Sequence, residues 1–295
     1  MRYDSRRRED GSASRLPKRR LLAAGEGWTA FDVVCTAGPQ DRPFEEQFSQ
    51  TCVAIVVSGT FQYRTSAGCE LMMPGAFLLG NAGDIFTCGH EHGVGDRCVS
   101  FSYTAEFYES VTEGIAKSRF KSPRLAPSRV LSPLVSRASE LLPGADAVAF
   151  DELSVQVLAQ SIQMEQDVVP RPTGASPSSL ARVTRVLRMI DNDPEVPSGL
   201  NALAKIARLS PYHFLRVFEE LTGTTPHQYI LRGRLRRAAL WLRQKPSKIL
   251  DIALGCGFGD VSNFNRTFRA EFGITPRAYR LMKHTRREYR LPGNR

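Results

Sequence analysis

A sixteen-residue pattern occurs twice near the C-terminal end of the chain. Residues 214–229 read Phe214-x-Arg216-x-Phe218, four residues, then Gly223-x-Thr225-Pro226-x-x-Tyr229. Residues 264–279 repeat it as Phe264-x-Arg266-x-Phe268, four residues, then Gly273-x-Thr275-Pro276-x-x-Tyr279. Seven positions agree at a constant offset of fifty residues. Such agreement marks two copies of one supersecondary unit, each of which must fold locally in the same way.

Each copy reads as helix, tight turn, helix. In the first, Leu200, Leu203, Ala204 and Ala207 make a short amphipathic helix and Arg208-Leu209 a connection. Ser210 is a good N-cap, and Pro211 at the first helical position has no N–H to lose. Phe214, Val217, Phe218 and Leu221 then form one apolar stripe, which Gly223 is placed to end. In the second, Ile249, Ile252, Ala253 and Cys256 make the first stripe, Gly257 permits a sharp turn, and Asp260 caps a helix with Phe264, Phe268 and Phe272 inward. Ser262, Asn263, Asn265, Arg266 and Arg269 lie on or beside its outward face. These side-chain types hydrogen-bond base edges and phosphates.

The segment from Pro226 to Gln244 joins the copies as one helix, with Leu231, Leu235, Ala238 and Leu242 on a stripe and Arg232, Arg234, Arg236, Arg237 and Arg243 around it. At the usual rise per residue it spans about 30 Å. That length suits two recognition helices held one DNA turn apart, roughly 34 Å. Charge points the same way. Residues 178–295 hold twenty-two Lys/Arg against nine Asp/Glu, net +13, whereas residues 21–177 are net −8 and residues 1–20 net +5. Positive potential is thus concentrated on the segment that carries the repeat.

On these residues, the stretch from about 180 to 283 resembles the DNA-binding domain of AraC/XylS-type transcriptional regulators. The resemblance is carried above all by Gly257-Phe258-x-Asp260-x-Ser262-x-Phe264-x-Arg266-x-Phe268 through Gly273-x-Thr275-Pro276-x-x-Tyr279-Arg280. It implies a seven-helix unit whose two recognition helices enter the major groove. By that resemblance the DNA-facing positions are Tyr212, Leu215 and Arg216 in the first unit and Ser262, Asn263, Asn265 and Arg266 in the second. Leu215 departs from the polar residue often found there, since it can touch a thymine methyl but cannot hydrogen-bond a base.

The N-terminal half has a different period. Residues 1–20 are polar and Arg-rich and read as a disordered basic tail. From about Trp28 to Tyr103, Val53 to Val57 forms a buried strand and Phe61 and Tyr63 alternate with polar neighbours, as do Val99, Phe101 and Tyr103. Turns are signalled at Ala67-Gly68, Pro74-Gly75 and Asn81 to Asp84. This pattern predicts a small barrel or jelly roll, and it resembles the cupin-like effector domain of AraC-type regulators. Leu131, Leu134, Val135 and Ala138, followed by Leu153, Val157, Leu158, Ile162 and Met164, mark helices beyond it. In the regulators resembled, helices at this place pair two subunits. Residues 168–178, rich in Pro, Ser and Gly, read as a linker that tethers two units loosely.

The expected architecture is therefore α+β. A cupin-like β-barrel with dimerisation helices occupies residues 21–167, an all-α domain with two helix-turn-helix motifs residues 179–283, and a basic tail residues 284–295. One stretch of the barrel invites a chemical reading: Cys88-Gly89-His90-Glu91-His92, with Cys98 beyond. On a strand, residues 88, 90 and 92 share one face. His90 and His92 are then candidates to orient a small effector. Alternatively Cys88, His90, His92 and Cys98 would supply the N/S donors that zinc favours, although no cofactor is required.

No stretch has the length of a transmembrane helix, no apolar core follows the basic N-terminal residues, and six scattered cysteines suggest no disulfide framework. These features predict a soluble cytoplasmic protein. A cupin-type metalloenzyme would need more than the His90/His92 pair, and a DNA-repair alkyl acceptor would need clustered cysteines, whereas Cys35, Cys52 and Cys69 are dispersed. No Ser/His/Asp set, phosphate-binding glycine loop or paired carboxylates are evident. The sequence reads as a non-enzymatic, homodimeric regulator of double-stranded DNA controlled by a small molecule, with RNA polymerase as a further partner if it activates.

Overall fold

The computed structural model describes residues 17–43, 45–112, 119–144, 146–166, 176–193 and 199–282. Ten strands come mostly from the N-terminal half: β1 Lys18–Gly25, β2 Trp28–Cys35, β3 Glu45–Gln47, β4 Thr51–Gly59, β5 Phe61–Thr65, β6 Gly68–Met72, β7 Phe77–Gly80, β8 Ile85–Gly89, β9 Asp96–Tyr103 and β10 Arg124–Leu125. Three helices accompany them, α1 Ala105–Val111, α2 Ser132–Leu141 and α3 Ala147–Gln166. Seven follow: α4 Pro177–Asn192, α5 Leu200–Ala207, α6 Pro211–Thr222, α7 Pro226–Gln244, α8 Ile249–Gly255, α9 Val261–Phe272 and α10 Pro276–Leu281.

The strands form two antiparallel sheets, β1-β2-β9-β4-β7-β10 and β3-β8-β5-β6. Among the described residues they do not close into a barrel, one of the two forms, barrel or jelly roll, that the sequence pattern suggested. The physical reason is that the six-stranded sheet has two buried faces. On one, Trp28, Val53, Ile55, Val99, Phe101 and Tyr103 pack against α2 and α3. The polar ends of the buried aromatics are satisfied there: Trp28 Nε1 donates to Asp151 Oδ1 at 2.8 Å and Tyr103 OH to the Ser154 carbonyl at 2.9 Å. The opposite face, reached by the alternate residues of the same strands, looks across at the four-stranded sheet.

Three expectations need correction. β1 starts at Lys18, so the end of the segment read as a disordered tail is a strand; residues 1–16 lie outside the described residues, as do 283–295, which take in the C-terminal tail. The apolar stripes assigned to subunit pairing, Leu131, Leu134, Val135 and Ala138 with Leu153, Val157, Leu158 and Ile162, are buried against the chain's own sheet. These stripes belong to the chain's own core, so pairing through these helices has to use another of their faces.

The third correction concerns the tether. Residues 167–175 lie outside the described residues, but the two halves they join are docked closely. Arginines do much of this by donating to backbone carbonyls: Arg124 to Thr222, Arg232 to Pro127 and Arg236 to Pro74, at 3.1 to 3.3 Å. Arg243 pairs with Glu140 across the junction at 3.5 Å, while Arg124 is held within the sheet half by Glu70 at 2.8 Å and Arg232 within the helical half by Glu271 at 3.6 Å. One hydrophobic cluster runs from Phe61, Tyr63 and Met72 of the four-stranded sheet into Leu187, Phe214 and Phe218 of the helical half. Much of the basic ring of α7 thus meets protein.

The duplicated motif proves to be a helix boundary. Gly223 and Gly273 end α6 and α9 in the left-handed conformation, at φ 71° and 77°, where a Cβ would be strained. Thr225 and Thr275 then cap the next helix through their hydroxyls, with Pro226 and Pro276 at its first position. The motif tyrosines anchor each boundary to a carboxylate. Tyr229 OH donates to Asp191 at 2.8 Å, and Tyr279 OH to Glu140 at 2.6 Å.

Burial raises the Asp191 carboxyl from the ordinary 3.8 to about 6, against the lowering effect of Tyr229 and of Arg236, Arg237 and Arg188. With its folded value above its unfolded one, the folded chain holds a proton that the unfolded chain releases, so this group's contribution declines as pH rises from about 4 to 6. Thermal unfolding of Asp191→Asn, which still accepts from Tyr229, should show a flatter fall in midpoint over that window than the parent chain. An identical pH profile would remove Asp191 as its source.

Candidate nucleic-acid interface and inter-sheet cavity

The first helix pair, α5 and α6, turns at Arg208, whose φ of 54° is the only positive value at a non-glycine position among the described residues. Arg182 of α4 braces that turn by donating to the carbonyls of Arg208 at 2.6 Å and Ala207 at 3.3 Å. Sequence reading missed this brace, because nothing local to Arg182 signals a partner 26 residues away. Ser210 caps α6 through His213 N. Phe214, Val217, Phe218 and Leu221 then turn inward. The outward face presents Tyr212, 79% exposed, and Arg216, with Leu215 half-buried between them.

The second pair, α8 and α9, turns at Gly257, φ 83°, and Asp260 Oδ1 accepts from Asn263 N at 2.7 Å to start α9. Phe264 and Phe268 are fully buried in a core shared with Leu235, Ala238 and Leu242 of α7. Consequently Ser262, Asn263, Asn265 and Arg266 are all exposed. Arg266 Nη2 donates to Asn263 Oδ1 at 3.2 Å, which holds a guanidinium and an amide side by side on the outer face. Paired donors and acceptors of this kind can read a base edge or clamp a phosphate. All seven positions named from sequence thus fall on two helix faces, one on α6 and one on α9.

The second feature is a cavity of about 470 Å³ between the sheets. Its walls are the alternate residues of the six-stranded sheet, such as Phe31, Val33 and Ala54, facing Phe61 and Phe86 of the other sheet. Arg19, Arg42, Asp41 and Glu46 add charge to the lining. Four of the six cysteines, Cys35, Cys52, Cys88 and Cys98, face it as well. Burial pushes the Cys88 and Cys98 thiols well above their usual range.

The structure divides the residues read as one cluster. Cys88, His90 and Cys98 line the cavity, but His92 does not; it lies in a separate depression beside Arg185, Arg188 and Met189 of α4. The one-face argument fails because β8 stops at Gly89 and the chain turns through residues 91–94. In place of His92, Asp96 meets His90, with His90 Nε2 2.6 Å from Asp96 Oδ1. Burial disfavours charge on His90, yet its hydrogen bonds with Asp96 and Cys35 outweigh this and raise the imidazole to about 9. The partnership was not readable in sequence, since it depends on the β2–β9 register that sets Cys35 opposite Asp96.

Comparison with known proteins bears on the helical half first. A sequence-family profile described as a helix-turn-helix domain matches residues 203–282. Over 98 residues the chain is 34% identical to the regulatory protein SoxS of Salmonella typhimurium, covering 33% of this chain and 92% of SoxS. It is 23% identical over 265 residues to the HTH-type transcriptional regulator MtrA of Neisseria gonorrhoeae, covering 88% of this chain and 84% of MtrA. A solved structure of a transcriptional regulator with an AraC-type DNA-binding domain from Chromobacterium violaceum is 32% identical, covering 36% of this chain and 94% of that one, with a TM-score of 0.33. With its duplicated helix-turn-helix and SoxS matched at 34% identity over nearly its whole length, the chain belongs to the AraC family of transcriptional regulators.

Proposed function

We propose that this transcriptional regulator reads its operator by placing α6 and α9 in successive major grooves, and that a small molecule held between the sheets sets its affinity for DNA. The observation that carries the reading is the matched pair of exposed faces, Tyr212, Leu215 and Arg216 on one helix and Ser262, Asn263, Asn265 and Arg266 on the other. The half-buried Leu215 offers only apolar contact, so α6 reads less of the site than α9.

The N-terminal residues to about 167 act in this reading as a cupin-like effector unit, and residues 179–283 as the DNA-binding unit. A cavity with apolar walls and a few charged groups suits a small organic effector. Its route to the DNA-binding unit runs through Arg188 of α4, which donates to Thr60 Oγ1 at 3.0 Å and to the Val94 carbonyl at 3.2 Å, beside the loop carrying His90 and Asp96. The site of action is the cytoplasm, and RNA polymerase is the further partner where the protein activates.

A homodimer remains part of this proposal, but with a different surface. The outer face of α3 carries Val148 and Val155, 56% and 41% exposed and two turns apart, where a second copy can pack. Sedimentation should show a dimer at tens of micromolar for the parent and a monomer for Val155→Glu; a monomeric parent ends this part of the proposal.

Arg266→Ala should cost about 1 to 3 kcal/mol of operator affinity and relax preference at one half of the site. Binding of the full chain should also weaken steeply with salt, since phosphate contacts release counterions. Unchanged affinity in a folded Arg266→Ala protein would take this arginine out of the interface. For the cavity, a thermal-shift screen of small molecules against the full chain should yield ligands that raise the unfolding midpoint. Ala54→Leu, which fills part of the cavity, should abolish those shifts while operator binding persists. Ligands that stabilise both proteins equally bind elsewhere.

A further inference from the structure

One end of the cavity gathers a donor set that the effector reading does not use. Cys35 Sγ, a ring nitrogen of His90 and a carboxylate oxygen of Asp96 all lie within 4.8 Å of one another. Backbone pairing fixes two of the three: Cys35 ends β2, Asp96 begins β9, and the two are cross-strand partners. His90, 5% exposed, is brought over them by the turn after β8 and is already 2.6 Å from Asp96. Cys98 Sγ approaches Asp96 Oδ2 at 3.4 Å from the cavity side.

We propose that Cys35, His90 and Asp96 form a binding site for a zinc-class divalent cation, with its fourth position open to the cavity. The donors are one sulfur, one nitrogen and one oxygen, the mixture that borderline-soft cations accept. Charge balances as well. On loading, the cation displaces the protons of the Cys35 thiol and the His90 imidazole, and one thiolate and one carboxylate then neutralise it beside a neutral imidazole. Around tetrahedral zinc, donors bonded at roughly 2.0 to 2.3 Å stand roughly 3.3 to 3.8 Å apart. The present cluster reaches that spacing by small shifts, in which the cation enters between His90 and Asp96.

Among the described residues the site has three protein donors rather than four, which is the arrangement that leaves a cation able to take an exogenous ligand. A molecule in the cavity with a carboxylate, phenolate or thiol donor would complete the shell. This part rests on the cavity being a ligand site; occupation by the cation does not.

The test uses cobalt(II) as probe on the full, tag-free chain after chelator treatment. One equivalent should bind with the absorption of thiolate-ligated tetrahedral cobalt, and zinc should displace it. Cys35→Ser should remove the thiolate-to-cobalt band, and Asp96→Asn should weaken binding by at least ~10-fold. Cys69→Ser and His92→Ala, outside the donor set, should leave the spectrum unchanged. Absence of stoichiometric cobalt binding by the parent chain overturns the proposal whatever the variants do. So does a thiolate band that survives Cys35→Ser, and His90 and Asp96 are then a structural ion pair. The organic-ligand screen run on chelated protein tests the cavity separately, so loss of one reading leaves the other standing or falling on its own measurement.

Discussion

Helix α7 belongs to two cores, and the geometry of the DNA-binding half depends on that shared membership. Its first turns contribute Tyr229 and Ile230 to the cluster around Phe214 and Phe218, while Leu235, Ala238, Ala239 and Leu242 serve the cluster around Phe264 and Phe268. A rigid rod buried at both ends fixes the relative placement of α6 and α9 more firmly than a loop could. It begins sharply, at a capping box in which Thr225 and Gln228 satisfy each other's backbone N–H. Separation between the exposed faces of α6 and α9 is thereby encoded in the length and phase of one helix.

The sheet half is organised by a comparable economy. β9 lies between β2 and β4, and its residues alternate between a dry side, Val99, Phe101 and Tyr103, and a cavity side, Cys98, Ser100 and Ser102. Small side chains on the second set leave volume that the four-stranded sheet does not fill. The cavity is therefore a product of strand composition, and it lies within hydrogen-bonding reach of α4 through the loop that Arg188 grips.

What was legible in the sequence was whatever depends on neighbours along the chain. The caps Ser210 and Asp260, the stop at Gly223 and the inward phenylalanines follow from spacing alone, and they set which faces of α6 and α9 turn outward. Strand alternation around Val53, Phe61 and Val99 was equally local. The losses came where distant segments meet. His92 left its supposed face because β8 ended, Asp96 and Cys35 joined His90 through a register invisible in sequence, and the α2 and α3 stripes found their own sheet. Charge counting pointed to the right half but not to the right side chains, since Arg232 and Arg236 of α7 donate to carbonyls across the junction.

The two tyrosines of the repeat show how duplication can be followed by a division of loyalties. Tyr229 is tied to Asp191 within the helical half, but Tyr279, its twin in sequence, is tied to Glu140 on α2, beside the sheets. Cutting the chain between its halves would leave the first copy with its anchor and strip the second of its own. The isolated helical half is thus not the intact protein with a piece subtracted: its second helix pair would lose the tyrosine anchor that its first pair keeps.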